Sequence, residues 1–266
     1  MNFITAIKNR KTVCIYSGEL LNDEHVAIIE EFIRKIQVPF CDKVRIQLVR
    51  SNRDNETTRL GSYGRVKGVY EFLAVIYEMA PLAEEASAYV LQKIILFCTN
   101  LGIGTCWLID KFHHEAFTKQ ITLRHNEVLK MVTPIGYPSQ KRRKFTPVMH
   151  YADSDDNYRP FEELFFYKDF NHPLFEDQAG IYSEPLEMVR WGLFGINRQS
   201  CRIIFDNNNL HFYKLPFEFA AIDTGIALCH FELSCIELKI KGIYAVVKHQ
   251  LQEDILEYVI SWISKQ

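Results

Sequence analysis

Leu101-Gly102-Ile103-Gly104-Thr105-Cys106-Trp107-Leu108 sets two glycines, a hydroxyl, a thiol and an indole in one short run. A glycine has no Cβ, so backbone there can approach a flat or bulky ligand. Thr105, Cys106 and Trp107 can then line the wall beside it. The chemistry suggested is a platform for a cofactor ring. It is neither a dinucleotide fingerprint nor a phosphate-binding P-loop. Gly102-x-Gly104 lacks the third glycine and follows a helical pattern rather than a strand, and no Gly-Lys-Ser/Thr is present. Cys106 with His113 and His114 has neither metal-ligand spacing nor a third orienting group for a Cys–His nucleophile.

Polar groups able to hold an anion lie elsewhere. Asn9-Arg10-Lys11-Thr12 brings a guanidinium, an ammonium and a hydroxyl together, which suits a phosphate or a solvated helix end. Lys141-Arg142-Arg143-Lys144 reads as a second phosphate anchor or an exposed basic turn. Asn197-Arg198-Gln199 could bond a ring edge or a sugar-like chain, or serve as local turn chemistry. Cys229-His230 falls in an apolar helical stretch and reads as a core pair.

These groups need elements to position them. Residues 1–10 read as a short amphipathic helix. A helix is expected over 23–36, capped by Asn22 or Asp23, with Val26, Ile29, Ile33 and Ile36 as its apolar stripe. Alternation predicts a strand over 44–50, 51–64 reads as a loop and 68–77 as a buried strand. Pro81 is placed to open a helix running to about Asn100, with Leu82, Ala86, Tyr89, Val90, Ile94 and Phe97 on its apolar face. A short strand over 105–109, a helix over 112–120 and a strand over 127–137 follow. In the second half a helix is expected over 184–194. Residues 201–205 and 210–215 read as a hairpin turning at Asp206-Asn207-Asn208-Asn209. A helix over 222–238 and strands over 241–248 and 257–263 complete a mixed, layered α+β or α/β pattern. The polar stretch 153–157 divides the chain into halves, 1–150 and 158–266.

Composition narrows the function. The chain has 266 residues, 48% of them hydrophobic and 13% aromatic, enough for a substantial core, and a formal net charge of −2. Near-neutral charge argues against nucleic acid or an anionic membrane as a main partner. No apolar run reaches the roughly 18 residues of a membrane span, and the N-terminus is too polar for a signal peptide. Seven scattered cysteines without a CxxC pair fit reduced thiols in a cytoplasmic protein.

Four segments, taken in order, resemble the FMN-dependent nitroreductase family, and within it the subgroup that fuses two half-domains in one chain. Arg10-Lys11-Thr12-Val13 resembles the family's early Arg-Arg-Ser-Val. Gly102-Ile103-Gly104-Thr105-Cys106-Trp107-Leu108 is similar to its Gly-Leu-Gly-Thr-Cys-Trp-Leu. Ile135-Gly136-Tyr137-Pro138 with Arg142 and Arg143 resembles its late Gly-Tyr-Pro and basic region. Asp223-Thr224-Gly225-Ile226-Ala227 with His230-Phe231-Glu232-Leu233 resembles a segment of the fused subgroup.

The resemblance implies an α+β fold, a mainly antiparallel sheet flanked by helices, with the two halves forming a pseudo-dimer. It implies FMN, reduced by NADH or NADPH, passing electrons to a nitro, quinone or similar acceptor. Arg10, Lys11 and Thr12, with Arg142 or Arg143, would hold the phosphate. Gly102, Gly104, Thr105 and Cys106 would border the flavin ring, and Asn197 and Gln199 would reach it from the second half. Arg65 and Lys67 are candidates, by charge, for stabilising the anionic reduced flavin. No catalytic residue and no metal ligand is assigned. The chain would be a monomeric pseudo-dimer or a homodimer. Phe194 and Ile196 stand where the family carries serines, and Cys14 replaces a basic residue. Each lost polar contact costs about 0.5–1.5 kcal/mol. A non-catalytic relative binding another ligand or partner therefore stays open as a second reading, and a dehalogenating relative as a third.

Overall fold

The computed structural model describes residues 2–51, 60–140, 158–192, 199–248 and 255–265. In chain order the elements are α1 (Phe3–Asn9), α2 (Asp23–Lys35), β1 (Val44–Arg50), β2 (Glu71–Glu78), α3 (Ala83–Asn100), β3 (Gly104–Thr105), β4 (Leu108–Ile109), α4 (His114–Thr118) and β5 (Glu127–Gly136). The second half adds α5 (Phe161–Leu164), β6 (Phe165–Tyr167), α6 (Ser183–Arg190), β7 (Cys201–Asp206), β8 (Asn209–Lys214), α7 (Ala220–Glu237), β9 (Gly242–Ala245) and β10 (Glu257–Ser264).

Two five-stranded sheets result. The first runs β1-β2-β5-β3, with β4 also on β5, and the second runs β6-β7-β8-β10-β9. Every pairing is antiparallel except β6 with β7. The α+β expectation therefore holds. α3 packs on the first sheet, α7 on the second, and the two helices pack on each other. At their crossing Gly225 of α7 sits against Ala88 and the Glu85 carbonyl of α3.

Local signals set several elements. The Asn22 side chain accepts from the His25 N–H at 2.7 Å and caps α2, whose first turn carries Asp23 and Glu24. Asp206 and Asn209 pair across a two-residue hairpin loop, and Asn207 and Asn208 take φ of 48° and 63°. That backbone twist suits the hairpin, and asparagine tolerates it.

Other elements differ from the sequence reading. Pro81 does not open α3. Leu82 takes φ 61° at the N-cap and the helix begins at Ala83. α3 is buried on nearly all sides rather than one, because α7 covers the face turned away from the sheet. The single strand expected over 105–109 splits into β3 and β4, because the Cys106 N–H turns to Thr133 Oγ1 at 3.3 Å. The helix expected over 112–120 shortens to α4.

Across the first sheet, Arg45 grips Glu127 with two bonds of 2.7 Å, and the Arg124 N–H adds a third at 2.8 Å. The Arg45 bonds, foremost, hold the Glu127 carboxyl down to about 2. A depressed folded pKa contributes stability above the ordinary carboxylate range, and that stability is lost as pH falls toward the folded value. Urea unfolding should therefore show wild type losing stability between about pH 5 and pH 2 more steeply than Glu127→Gln does. Equal slopes would refute the assignment.

Candidate functional site

The site is built around one extended stretch, residues 12–17, that sequence periodicity did not reveal. α1 ends where the Arg10 N–H bonds Ala6 O at 2.9 Å, and Arg10 turns extended. Thr12 then bridges Thr105 in parallel, and the Val13 N–H donates to Thr105 O at 2.8 Å. Further along, the Lys67 N–H donates to Cys14 O, and the Tyr16 N–H donates to Lys67 O, both at 2.9 Å. The Ser139 N–H donates to Ile15 O, and the Ser17 N–H to Tyr137 O, again at 2.9 Å. One stretch thus laces together the glycine segment, the Arg65–Lys67 loop and the Gly-Tyr-Pro segment.

Both glycines also have a reason within the chain itself. Gly102 has φ 71°. Its N–H bonds Thr99 O at 3.1 Å, and the Ile103 N–H bonds Cys98 O at 2.9 Å. This is the paired-bond ending that closes a helix at a left-handed residue. A Cβ on Gly104 would lie 2.8–2.9 Å from the Val13 side chain. Gly104 is bare so that residues 12–17 can lie close against it.

Thr105 and Cys106 are buried beside this junction. Arg10 directs both terminal nitrogens at Thr12 Oγ1, at 3.3 and 3.4 Å. Burial pulls the Arg10 pKa down, although a guanidinium remains charged. Cys106 Sγ lies 3.9 Å from Cys14 Sγ. Its thiol is pushed up by that contact and then by burial, against the opposing pull of Arg10 and Arg65. Among the described residues no carboxylate pairs with Arg10, Lys11, Arg65 or Lys67. Tyr16, held in the same cluster, buries a hydroxyl with no hydrogen-bond partner among the described residues.

Trp107 anchors a buried polar chain. Its Nε1 donates to Gln92 Oε1 at 3.2 Å, Gln92 Nε2 meets His230 Nε2 at 2.7 Å, and His230 Nδ1 meets Met188 O at 2.8 Å. Because the amide nitrogen of Gln92 can only donate, His230 Nε2 accepts and Nδ1 carries the proton. Burial lowers His230 to about 4, so it is neutral at pH 7. It is a core histidine, as its apolar surroundings suggested. His114 Nε2 bonds Leu129 O at 3.1 Å and His113 packs against Gly61 and Tyr63, so neither is turned to Cys106 by these contacts. Among the described residues no cluster of three or more His, Cys, Asp or Glu could hold a metal.

On the second-half side, Gln199 does not offer its carboxamide outward. Oε1 accepts from the Arg159 N–H at 2.7 Å and Nε2 donates to Arg190 O at 2.8 Å. Gln199 itself has φ 43°. Next to it, Ser200 Oγ donates to Asp223 Oδ2 at 2.9 Å, while Asp223 Oδ1 is buried without a partner among the described residues. Burial raises Asp223 to about 6. Arg202 spends its Nη1 on the carbonyls of Gln199 and Cys201. Arg142, Arg143, Asn197, Phe194 and Ile196 lie outside the described residues. Sequence reasoning missed Tyr16 and the Cys14–Cys106 contact. Neither carries a local signal, since the Cys14–Cys106 contact joins residues 92 positions apart.

This fold has known counterparts. The family profile described as "Putative TM nitroreductase" matches residues 2–235. The chain belongs to that nitroreductase family. The crystal structure of a "putative nitroreductase" from Thermotoga maritima aligns at TM-score 0.64 and 18% identity, covering 100% of this chain and 95% of that one. A Clostridium difficile FMN-dependent nitroreductase aligns at TM-score 0.45 and 14% identity, over 59% of this chain and 98% of that one. An iodotyrosine deiodinase bound to FMN and 3-iodo-L-tyrosine aligns at TM-score 0.42 and 16% identity, over 55% and 94%. No curated protein matches the sequence. No helix among the described residues is long and apolar enough to cross a membrane.

Proposed function

We propose that the chain is a flavin oxidoreductase that holds FMN against the lace formed by residues 10–17, 65–67 and 104–106. The observation that carries this reading is the set of four cations, Arg10, Lys11, Arg65 and Lys67, with no carboxylate partner among the described residues. Unpaired positive charge of this kind suits a phosphate dianion, which is best met by two or three cationic donors. The buried Tyr16 hydroxyl adds an unused donor to the same cluster.

FMN, when bound, supplies the two-electron chemistry that carries hydride from NADH or NADPH to a nitro, quinone or similar acceptor. The chain's part is to bind and orient. Arg10 and Thr12 hold the phosphate together with Arg142 or Arg143. Gly104 and Thr105 bring backbone to the ring, with Gly102 setting where that backbone emerges from α3. Buried Cys106 keeps water from it, and Arg65 and Lys67 add positive charge. Gln199 acts as a staple between residues 159 and 190, and Asn197 would reach the ring from the second half. The halves 1–150 and 158–266, each with one sheet, form the pseudo-dimer around this site, and the protein works as a monomer or a homodimer in the cytoplasm.

Titration with FMN, followed by flavin fluorescence and by thermal unfolding, tests the reading. Binding should change the fluorescence and raise the melting temperature. Arg10→Ala should weaken binding by about 10- to 100-fold, the effect of losing one charge-assisted contact. If saturating FMN changes neither signal, this reading fails. The commitment of Gln199 to the backbone then favours a non-catalytic member that binds another ligand.

A further inference from the structure

We propose that Cys14 and Cys106 form an oxidisable dithiol that closes to an intrachain disulfide when a low-molecular-weight disulfide reaches Cys14. The sulfurs are already 3.9 Å apart. They sit on adjacent extended segments, since Thr12 bridges Thr105 and the Val13 N–H bonds Thr105 O. With Thr12 opposite Thr105 in parallel, Cys14 lies one position past the residue opposite Cys106, a diagonal of roughly 5.8 Å from strand spacing and rise, inside the roughly 4.4–6.8 Å Cα separation that a disulfide spans. Side-chain rotation therefore suffices, without moving backbone. Both backbones are pinned: the Cys106 N–H by Thr133 Oγ1 at 3.3 Å, and the Cys14 carbonyl by the Lys67 N–H at 2.9 Å.

Exposure sets the order of events. Cys14 is half-buried, while Cys106 is only 7% exposed. A small disulfide therefore meets Cys14 first. The Cys14 thiolate attacks one sulfur of the oxidant, whose S–S bond breaks and releases one thiol. A mixed disulfide remains on Cys14. Cys106, its sulfur already beside Cys14 Sγ at 3.9 Å, then attacks Cys14 Sγ and expels the second thiol, which takes the proton that Cys106 gives up. Two protein thiols lose two electrons and two protons, and the oxidant gains both as two thiols. The remaining cysteines are placed differently: Cys41 is half-buried, and Cys98, Cys201, Cys229 and Cys235 are buried.

The test needs no flavin. Incubate the full chain with oxidised glutathione, count thiols after denaturation, and map disulfides in a non-reducing digest. Free thiols should fall from seven to five, with one peptide joining Cys14 to Cys106. In Cys106→Ser, glutathione should remain trapped on Cys14, and Cys14→Ser should give neither adduct nor link at this site. Retention of all seven thiols, a stable glutathione adduct on Cys14 in the unaltered chain, or a link between another pair would each overturn the proposal. The wild-type map decides the matter even if a variant misfolds.

Discussion

Gly104→Val is expected to destabilise the protein by about 3 kcal/mol or more and to dismantle the candidate site. The Cβ alone would meet three atoms of the Val13 side chain at 2.8–2.9 Å. Val13 cannot retreat easily, because its N–H is bonded to Thr105 O and the stretch is tied onward to Lys67, Tyr137 and Ser139. The clash must therefore push residues 12–17 away as a unit, taking Arg10 and Thr12 out of register with Thr105 and Cys106. In a chain of this size the loss corresponds to a melting temperature lower by about 10 °C. Gly104→Ala should cost less, and Val13→Ala in that background should recover part of it, because two of the three crowding atoms are gone. Thermal melts of the two single variants and the double variant check this. A Gly104→Val protein as stable as wild type would show that the close approach is not required.

Asp223→Asn is expected to stabilise the protein, and only above acidic pH. Burial raises the carboxyl to about 6 from an ordinary 3.8. A raised folded pKa means that the charged form is disfavoured on folding. The cost is absent below about pH 4, grows as pH rises and is complete above about pH 6. The gap between those values, at 1.36 kcal/mol per pH unit, comes to about 3 kcal/mol. Asparagine keeps an oxygen to accept from Ser200 and removes the charge. Urea unfolding at pH 8 should show a gain approaching that figure, and unfolding at pH 4 should show almost none. Equal effects at both pH values would sink the argument. Ser200, the partner of this carboxyl, follows Gln199 directly.

Wherever short-range physics governs, the elements were legible from the residues. Asn22 capping α2, the alternation of β1 and the Asn207–Asn208 turn all follow from a handful of neighbouring side chains and their preferred backbone. The ordered motifs from Arg10 to Leu233 likewise pointed to the nitroreductase family, and the match over residues 2–235 agrees. The candidate site was legible only as a parts list. Arg10, Thr12, Thr105 and Cys106 do meet, and Lys67 joins them through its backbone.

The sequence by itself determined helix caps, strand alternation, hairpin chemistry and the near-neutral charge, because each depends on residues a few positions apart. Only the tertiary structure decided what those residues are for. Gly102 closes a helix and Gly104 admits Val13. α3 is buried on nearly every side because α7, more than a hundred positions along, lies across it. Gln199 is consumed by the backbone at residues 159 and 190. Cys14 and Cys106, 92 positions apart, come within 3.9 Å only because residues 12–17 lie against β3. Hydrogen bonds and close contacts between distant segments depend on how the sheets and helices pack, and no local pattern of residue types encodes which partner a given group will find.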